Sequence, residues 1–290
     1  TLSGAGTGGL GALNLWGKAT ANGPITLAAD ATISHNFNTA TISGPITGED
    51  RNLTLTTIGN TQPGMVISGS IQLGAGGITV KGAGGTNTVT LSGINSYTGE
   101  TRVQTGTLKL TGNARFHDTS TVRIDAGAIL NLDFTGSDAV ATLYLGGVKM
   151  PDGTYGSLTS TAANKSAYYS GEGMLQVGGY APWATLNGVT GGPNGDSDHD
   201  GVKNLIEYAL VDGGERGVLI GTTISFTKRG APYGGDLTYI IETSTTLEPN
   251  SWLPAVTHGP AQLGTPISYD LASASGNPRI FVRLKVAQAP

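Results

Sequence analysis

A short motif of glycine, then proline or serine, then isoleucine recurs in the first third of the chain, and it constrains the fold more than any other feature. Its glycines are Gly23, Gly44, Gly69 and, in a looser copy, Gly93, spaced by 21, 25 and 24 residues. Repeats of this length are typical of solenoids, in which each repeat forms one coil and buries its apolar side against the next. The spacing therefore predicts stacked coils in this region.

Short runs with alternating polar and apolar residues lie between these motifs. Alternation with a period of two is typical of a strand that buries one face. We expect a right-handed parallel β-helix, with the motif glycines in left-handed corner conformations. An antiparallel sandwich with hairpins is the alternative, but no Asn-Gly or Asp-Gly turn separates the runs. The runs are Ala31–Ser34, Asn52–Thr56, Gly77–Lys81, Asn87–Leu91 and Gly106–Leu110.

The composition excludes several classes of protein. Only 12% of the residues are charged, against about 25% in an average chain, and 47 are glycine. The net charge is −4 and no basic stripe is present, so we expect no nucleic-acid partner. No apolar run is long enough to predict a membrane span. Cysteine is absent, which excludes disulfides and thiolate chemistry.

The segment Thr88–Leu108 reads TVTLSGINSYTGETRVQTGTL. It resembles the autotransporter-associated β-strand repeat, which reads approximately LTLSGxNTYTGxTxVxxGTL, over about 20 consecutive positions. Residues 1–87 are similar to the segment that precedes this repeat in giant secreted bacterial proteins. The resemblance implies an extracellular β-helical stalk or passenger. The translocator domain that accompanies the repeat in autotransporters is not recognisable after it, so that secretion route is not implied.

The chain begins at Thr1 and shows no signal peptide. We interpret it as a mature or cleaved piece of a longer secreted precursor, and an arbitrary start is the alternative. From the repeats and the composition we expect three segments. They are a β-helix over 1–178, a linker with a calcium loop and one short helix over 179–216, and a small antiparallel β-sandwich over 217–290.

Residues 196–207 match the EF-hand pattern D-x-[DN]-x-[DN]-G-x5-E at every defined position. Alternating carboxylates can converge on one hard cation, a glycine permits the sharp turn, and a backbone carbonyl and a terminal glutamate complete the shell. We therefore predict a Ca²⁺ site, and a solvated acidic turn is the alternative. The predicted ligands are Asp196, Asp198, Asp200, the carbonyl of Val202, Asn204 directly or through water, and Glu207.

The loop lacks the incoming helix of a true EF-hand, because a Gly- and Pro-rich segment precedes it. It resembles the dockerin-like or thrombospondin-type-3-like calcium loops of secreted bacterial proteins. A helix over 202–211 follows, and we expect it to dock on its apolar side. His199 occupies a position that supplies no ligand, and we expect it to be exposed.

The last segment contains five strand candidates. The final candidate alternates most clearly between apolar and basic residues. The segment resembles a small domain that often ends secreted proteins of environmental bacteria, with a fibronectin-III-like or jelly-roll-like fold. The resemblance implies no activity. The candidates are Thr222–Thr227, Leu237–Thr243, Trp252–Val256, Pro266–Asp270 and Arg279–Val286.

Three functions fit these features. The first is an extracellular or cell-surface structural protein, such as a stalk, surface-layer or fibre subunit, that is stabilised by calcium and forms homo-oligomers through the open strand edge of residues 1–15. The second is an adhesin that binds a cell-surface glycan. The third is a β-helical polysaccharide lyase or hydrolase.

The residue pattern disfavours the enzyme. Such enzymes gather acids and bases on adjacent coils, whereas here only Arg102, Arg123 and Asp125 are spaced to share a face. We interpret these three as surface ion pairs and expect no enzymatic activity. Exposed aromatic residues would favour the adhesin, but Trp16, Trp183 and Trp252 are interpreted as plug or core residues.

Overall fold

A computed structural model of the chain divides into two compact units, Thr1–Val177 and Gly178–Pro290. The structure describes residues 1–58, 64–82, 87–211, 217–229, 237–259, 265–274, 276 and 279–288. Strands dominate both units, and helices are few and short. Among the described residues, no helix combines the length and the apolar character that crossing a membrane would require.

The described residues of the first unit form strands, most of them short, and a 3-10 turn at Thr7–Gly9. Its strands are β1 Leu2–Gly4, β2 Leu13–Trp16, β3 Thr20–Ala21, β4 Ile25–Asn36, β5 Ala40–Ile42, β6 Ile46–Thr47, β7 Leu53–Ile58, β8 Met65–Ile67, β9 Ile71–Gln72, β10 Ile78–Gly82, β11 Thr88–Leu91, β12 Thr101–Thr105, β13 Thr107–Thr111, β14 Thr121–Ile124, β15 Ile129–Asp133, β16 Ser137–Val140, β17 Thr142–Leu145, β18 Val148–Lys149, β19 Gly153–Gly156, β20 Asn164–Lys165, β21 Tyr169–Gly171 and β22 Met174–Val177.

These strands form a parallel β-solenoid of about six turns, which confirms the predicted fold class. One sheet runs β17-β14-β12-β10-β7-β4, and a second runs β21-β15-β13-β11-β8-β5-β3. Equivalent residues of successive coils are directly paired, so the inward side chains stack in columns that are mostly apolar. One such column is Ala31, Leu53, Ile78, Thr101, Val122 and Leu143. The alternation seen in the sequence is therefore the alternation between the solenoid interior and its outer face.

The motif glycines form a column of their own, but not for the reason expected from the sequence. None of Gly44, Gly69 and Gly93 has a left-handed φ. Instead, a Cβ on Gly44 would lie 2.0 Å from the carbonyl oxygen of Gly23, and one on Gly69 would lie 2.0 Å from that of Gly44. Glycine is required at positions 44, 69 and 93 because the backbone of the preceding coil leaves no space for a side chain.

The segment that resembles the autotransporter-associated repeat makes one complete coil. Its tyrosine, Tyr97, points into the solenoid, is 1% exposed, and pairs with the hydroxyl of Thr101 at 2.7 Å. Thr101 is the polar member of an otherwise apolar inward column, and the hydroxyl of Tyr97 gives the buried hydroxyl of Thr101 a hydrogen-bond partner. The two hydroxyls thus allow a polar pair to remain inside a dry core.

The outer face of the solenoid carries threonines and ion pairs that link successive coils. The guanidinium of Arg102 contacts the carboxylate of Asp125 at 2.7 Å, and that of Arg123 contacts Glu100 at 3.3 Å. Arg102 and Arg123 are direct register partners, as the 21-residue spacing predicted. The second sheet has a similar pair between Lys109 and Asp133 at 2.7 Å.

The parallel pattern ends in an antiparallel cap. Strand β18 folds back onto β17, and β19 pairs in the antiparallel sense with β22, the last strand of the unit. Pro151 and Gly153 predict a turn around Met150–Tyr155, whereas the structure forms strand β19 at Gly153–Gly156. An antiparallel edge cannot continue the parallel ladder, and so the solenoid stops here.

The second unit holds two short helices among its described residues, α1 Tyr180–Leu186 and α2 Asn204–Ala209. Two three-stranded antiparallel sheets follow, ordered β23-β24-β27 and β26-β25-β28, and they share one core that includes Phe226 and Tyr239. This agrees with the predicted antiparallel C-terminal fold. The strands are β23 Val218–Ile220, β24 Thr223–Phe226, β25 Leu237–Ser244, β26 Leu253–His258, β27 Ile267–Asp270 and β28 Phe281–Gln288.

Candidate calcium-binding loop

The acidic loop lies between the two helices of the second unit. The carboxylates of Asp196, Asp198 and Asp200 each offer an oxygen, and these oxygens lie within 4.8 Å of one another. Calcium binds its oxygen ligands at about 2.3–2.6 Å, so oxygens at this separation can share one ion. The structure therefore brings together three of the predicted ligands.

Backbone amides inside the loop fix these carboxylates. The N–H of Gly201 donates to Asp196 Oδ2 at 3.0 Å, and the N–H of Val202 donates to Asp200 Oδ1 at 2.7 Å. Gly201 has a φ of 90°, and His199 has a φ of 64°, so the loop makes its turn through the left-handed region that glycine favours. His199 is exposed, as predicted.

One carboxylate oxygen in the cluster is buried and unpaired. Asp196 Oδ1 is shielded from solvent, and it has no hydrogen-bond partner in the described part of the chain. A buried acceptor without a partner costs free energy, which a cation would offset. Together with the hard oxygen donors of Asp198 and Asp200, this orphaned atom fits a Ca²⁺ site.

The side chain of Asn204 has a structural role in the loop that the sequence pattern does not reveal. The side chain is fully buried; Oδ1 accepts from the N–H of Ser197 at 2.9 Å, and Nδ2 donates to the carbonyls of Thr190 and Gly192, both at 2.8 Å. These bonds tie the two ends of the loop together at the first residue of α2. The predicted ligand thus uses its amide group to hold the loop closed.

Glu207 is not part of the carboxylate cluster. It lies on α2, close enough to Tyr180 that its charge adds to the effect of burial in raising the pKa of that phenol. The position of Val202 in the loop is as expected, with its N–H bonded to Asp200. The metal roles of Val202, Asn204 and Glu207 remain predictions.

Helix α2 is short, and the rest of the unit holds it in place. Its residue Tyr208 is fully buried and packs against Tyr180 and Trp183, with ring centroids 5.7 and 5.4 Å away. The predicted docking of an apolar helix side is confirmed, and so is the burial of Trp183. The helix is shorter than the predicted 202–211, because it begins at Asn204 and ends at Ala209, and the flanking residues Lys203 and Leu210 are extended.

A guanidinium satisfies the last carbonyls of α2. Arg229 donates from Nε to Tyr208 O at 3.0 Å, and from one terminal nitrogen to Glu207 O at 3.0 Å and Leu210 O at 2.9 Å. A positive group at the C-terminal end of a helix also complements its dipole. No local sequence pattern marks this contact, because Arg229 is about 20 residues from the helix that it caps.

The tryptophans expected to be plug or core residues differ in their surroundings. Trp183 is buried, and Trp252 is half-buried under the guanidinium of Arg283, which lies 4.2 Å from its ring centre. Trp16 is neither plug nor core, because 65% of it is exposed on the outer face of the solenoid. In the period-two pattern of β2, Trp16 lies on the face opposite the buried Leu15, and this alternation indicates its exposure.

No protein-family model matches the chain. Searches of curated proteins and of solved structures give no significant match either.

Proposed function

We propose that this chain is a structural protein of the extracellular space or cell surface, in which the β-solenoid is a rigid spacer or fibre element. The observation that carries the proposal is the register of the coils, in which equivalent residues pair directly over successive strands. A solenoid of this kind is stabilised by neighbour-to-neighbour contacts along one axis. It resists bending without needing a ligand.

The charges of the outer face support this role. Arg102 with Asp125, Arg123 with Glu100, and Lys109 with Asp133 each join one coil to the next. We propose that these groups are structural and that the chain has no lyase or hydrolase activity. Release of reducing or unsaturated sugars from a polysaccharide panel, abolished by Asp125→Ala or Arg102→Ala, would overturn this.

The acidic loop supports the extracellular location. We propose that Asp196, Asp198 and Asp200 bind one Ca²⁺, with the carbonyl of Val202 and Glu207 as further ligands. Calcium loops of extracellular modules are tuned to calcium in the range of about 0.1–1 mM. When bound, the ion would offset two of the three negative charges of the neighbouring carboxylates and fix the start of α2 at Asn204.

Calorimetry with calcium and with a chelator tests the site. A ligand present at about 100 times its dissociation constant stabilises the folded form by about 2.7 kcal/mol. We expect calcium to raise the melting temperature of the chain and expect Asp198→Asn to abolish the increase. Glu248→Gln, which removes an exposed charge elsewhere in the same unit, should leave the increase unchanged. An equal melting temperature with and without calcium contradicts the proposal.

The open edge of the first coil supports assembly. Strands β1 and β2 pair with β4 on one side, and within the described residues no strand pairs with their other side. An edge of this kind recruits another strand, and we propose that a second copy supplies it, head to tail. Sedimentation in calcium buffer should show oligomers that a form lacking residues 1–15 does not make. A monomer at high concentration, or equal assembly of the shortened form, would contradict this.

A further inference from the structure

Two exposed aromatic rings meet on the outer face of the first coils. Trp16 is the last residue of β2, and Phe37 directly follows β4; the two ring centres are 4.9 Å apart, with planes at 63°. Trp16 is 65% exposed and Phe37 is 42% exposed. Large aromatic side chains of a folded domain are normally buried, so this pair gains little stability from where it lies.

The backbone holds Phe37 outward in an unfavourable conformation. Its φ is 63°, in the left-handed region that bulky residues other than glycine avoid. The ring Nε2–H of the buried His35 donates to the carbonyl oxygen of Phe37 at 2.9 Å and supports this turn. Strain of this kind persists where the surrounding structure imposes it, and it is concentrated at binding sites.

The residues in register with Asn14 and Trp16 on β4 and β7 are uncharged, and the exposed Lys18 follows Trp16 by two residues. Asn36 is the direct register partner of Trp16, Asn14 lies two residues earlier on the same outward face, and Thr56 occupies the corresponding face of β7. Amides and hydroxyls offer both donors and acceptors. A ligand that suits them carries many hydroxyls, no net charge, and an apolar face to cover the rings.

A sugar ring has these properties. Its C–H bonds carry slight positive charge and can stack on the electron-rich face of an indole, while its hydroxyls form hydrogen bonds at the rim. On β4 and β7 an acidic or basic ligand finds no charged residue in register with Trp16, and Lys18 is a single charge. We propose that Trp16 and Phe37 form an aromatic platform that binds a neutral oligosaccharide, a role beyond the structural one proposed above.

Tryptophan fluorescence tests the platform directly, because Trp16 is the most exposed of the three tryptophans. The probes are cellohexaose, xylohexaose and mannohexaose, titrated into the full chain. We expect at least one of them to give a saturable change in emission. Trp16→Ala should weaken binding by about tenfold or more, which corresponds to the loss of one aromatic contact, measured for this variant by calorimetry.

Matched variants distinguish a loss of oligosaccharide binding from a loss of folding stability. Trp16→Tyr keeps an aromatic face and should retain binding within about threefold. Phe37→Gly removes the second ring and relieves the left-handed strain; it should weaken binding without lowering the melting temperature. Trp252→Phe removes a tryptophan from the second unit and should leave the affinity unchanged. The proposal is overturned if none of the three hexasaccharides binds, or if Trp16→Ala binds them as tightly as the unmodified chain.

Discussion

Inside the solenoid, the carboxylate of Asp138 accepts a hydrogen bond from the backbone N–H of Phe116 at 2.9 Å. Both residues are almost completely buried. Burial raises the pKa of Asp138 to about 6, although the Phe116 bond and the charge of Arg115 act in the opposite direction. The first strand of the terminal sheet, β16, therefore carries a carboxyl group that titrates between mildly acidic and neutral pH.

The raised pKa predicts that the solenoid loses stability as the pH rises. The folded state binds the proton of Asp138 more tightly than the unfolded chain, whose pKa is near the ordinary value of 3.8. The stabilising contribution is complete below that value and is lost as the pH rises through about 6. A shift of this size corresponds to about 3 kcal/mol.

Replacing Asp138 by Asn should remove this dependence. An amide keeps an acceptor for the Phe116 N–H but cannot ionise, so we expect Asp138→Asn to stabilise the solenoid by about 2 kcal/mol at pH 8 and to have little effect at pH 4. Urea unfolding at both pH values, followed by circular dichroism, measures the difference. Glu172→Gln is the control, because it removes an exposed carboxylate of the same unit and should have a similar, small effect at both pH values. An equal effect of Asp138→Asn at both pH values would contradict this prediction.

The glycine column predicts that the same substitution, glycine to alanine, changes the free energy of unfolding very differently at two positions. A Cβ at Gly69 would lie 2.0 Å from the carbonyl oxygen of Gly44, whereas a Cβ at Gly23 would have nothing within 4 Å. We expect Gly69→Ala to destabilise the solenoid by about 3 kcal/mol or more, because two coils must separate. Gly23→Ala should change the free energy of unfolding by less than about 0.5 kcal/mol. Similar values for the two variants would show that the stacking is not as tight as the structure indicates.

The β-helix could be predicted because its repeat determines both the strands and their burial. Leu53 and Leu55 alternate with Thr54 in the sequence, and the structure buries the two leucines and turns the threonine outward. The reason for the glycines could not be predicted, because a backbone contact between coils leaves no local pattern. The strand β19 was missed because Pro151 and Gly153 favour a turn, and pairing with β22 overrides that preference.

The candidate calcium site was only partly predictable. Spacing alone brings Asp196, Asp198 and Asp200 together, since positions 1, 3 and 5 of this type of loop supply ligands. The hydrogen bonds of Asn204 and the cap supplied by Arg229 depend on residues distant in the chain. A pattern of loop positions contains no information on such contacts.

Asn204→Asp distinguishes a ligand from a structural residue. As a direct ligand, an added carboxylate would strengthen calcium binding. In the structure, Nδ2 donates to the carbonyls of Thr190 and Gly192, and a carboxylate there would face two acceptors. We therefore expect this variant to be less stable by about 2 kcal/mol and to bind calcium about tenfold more weakly. Calorimetric titration decides between the two, with the exposed Asn250→Asp as the control.

The cap on α2 predicts that lysine cannot replace Arg229. The guanidinium spans three carbonyl oxygens at the end of the helix, whereas an ammonium group is a single point charge on a flexible stem. We expect Arg229→Lys to destabilise the second unit by about 2 kcal/mol, since hydrogen bonds to a charged donor are lost while the charge remains. Chemical denaturation followed by Trp183 fluorescence reports on this unit, because that tryptophan packs against Tyr208 of the helix. Arg279→Lys, at an exposed position, should have no effect; equal stability of both variants would mean that the three bonds do not hold the helix.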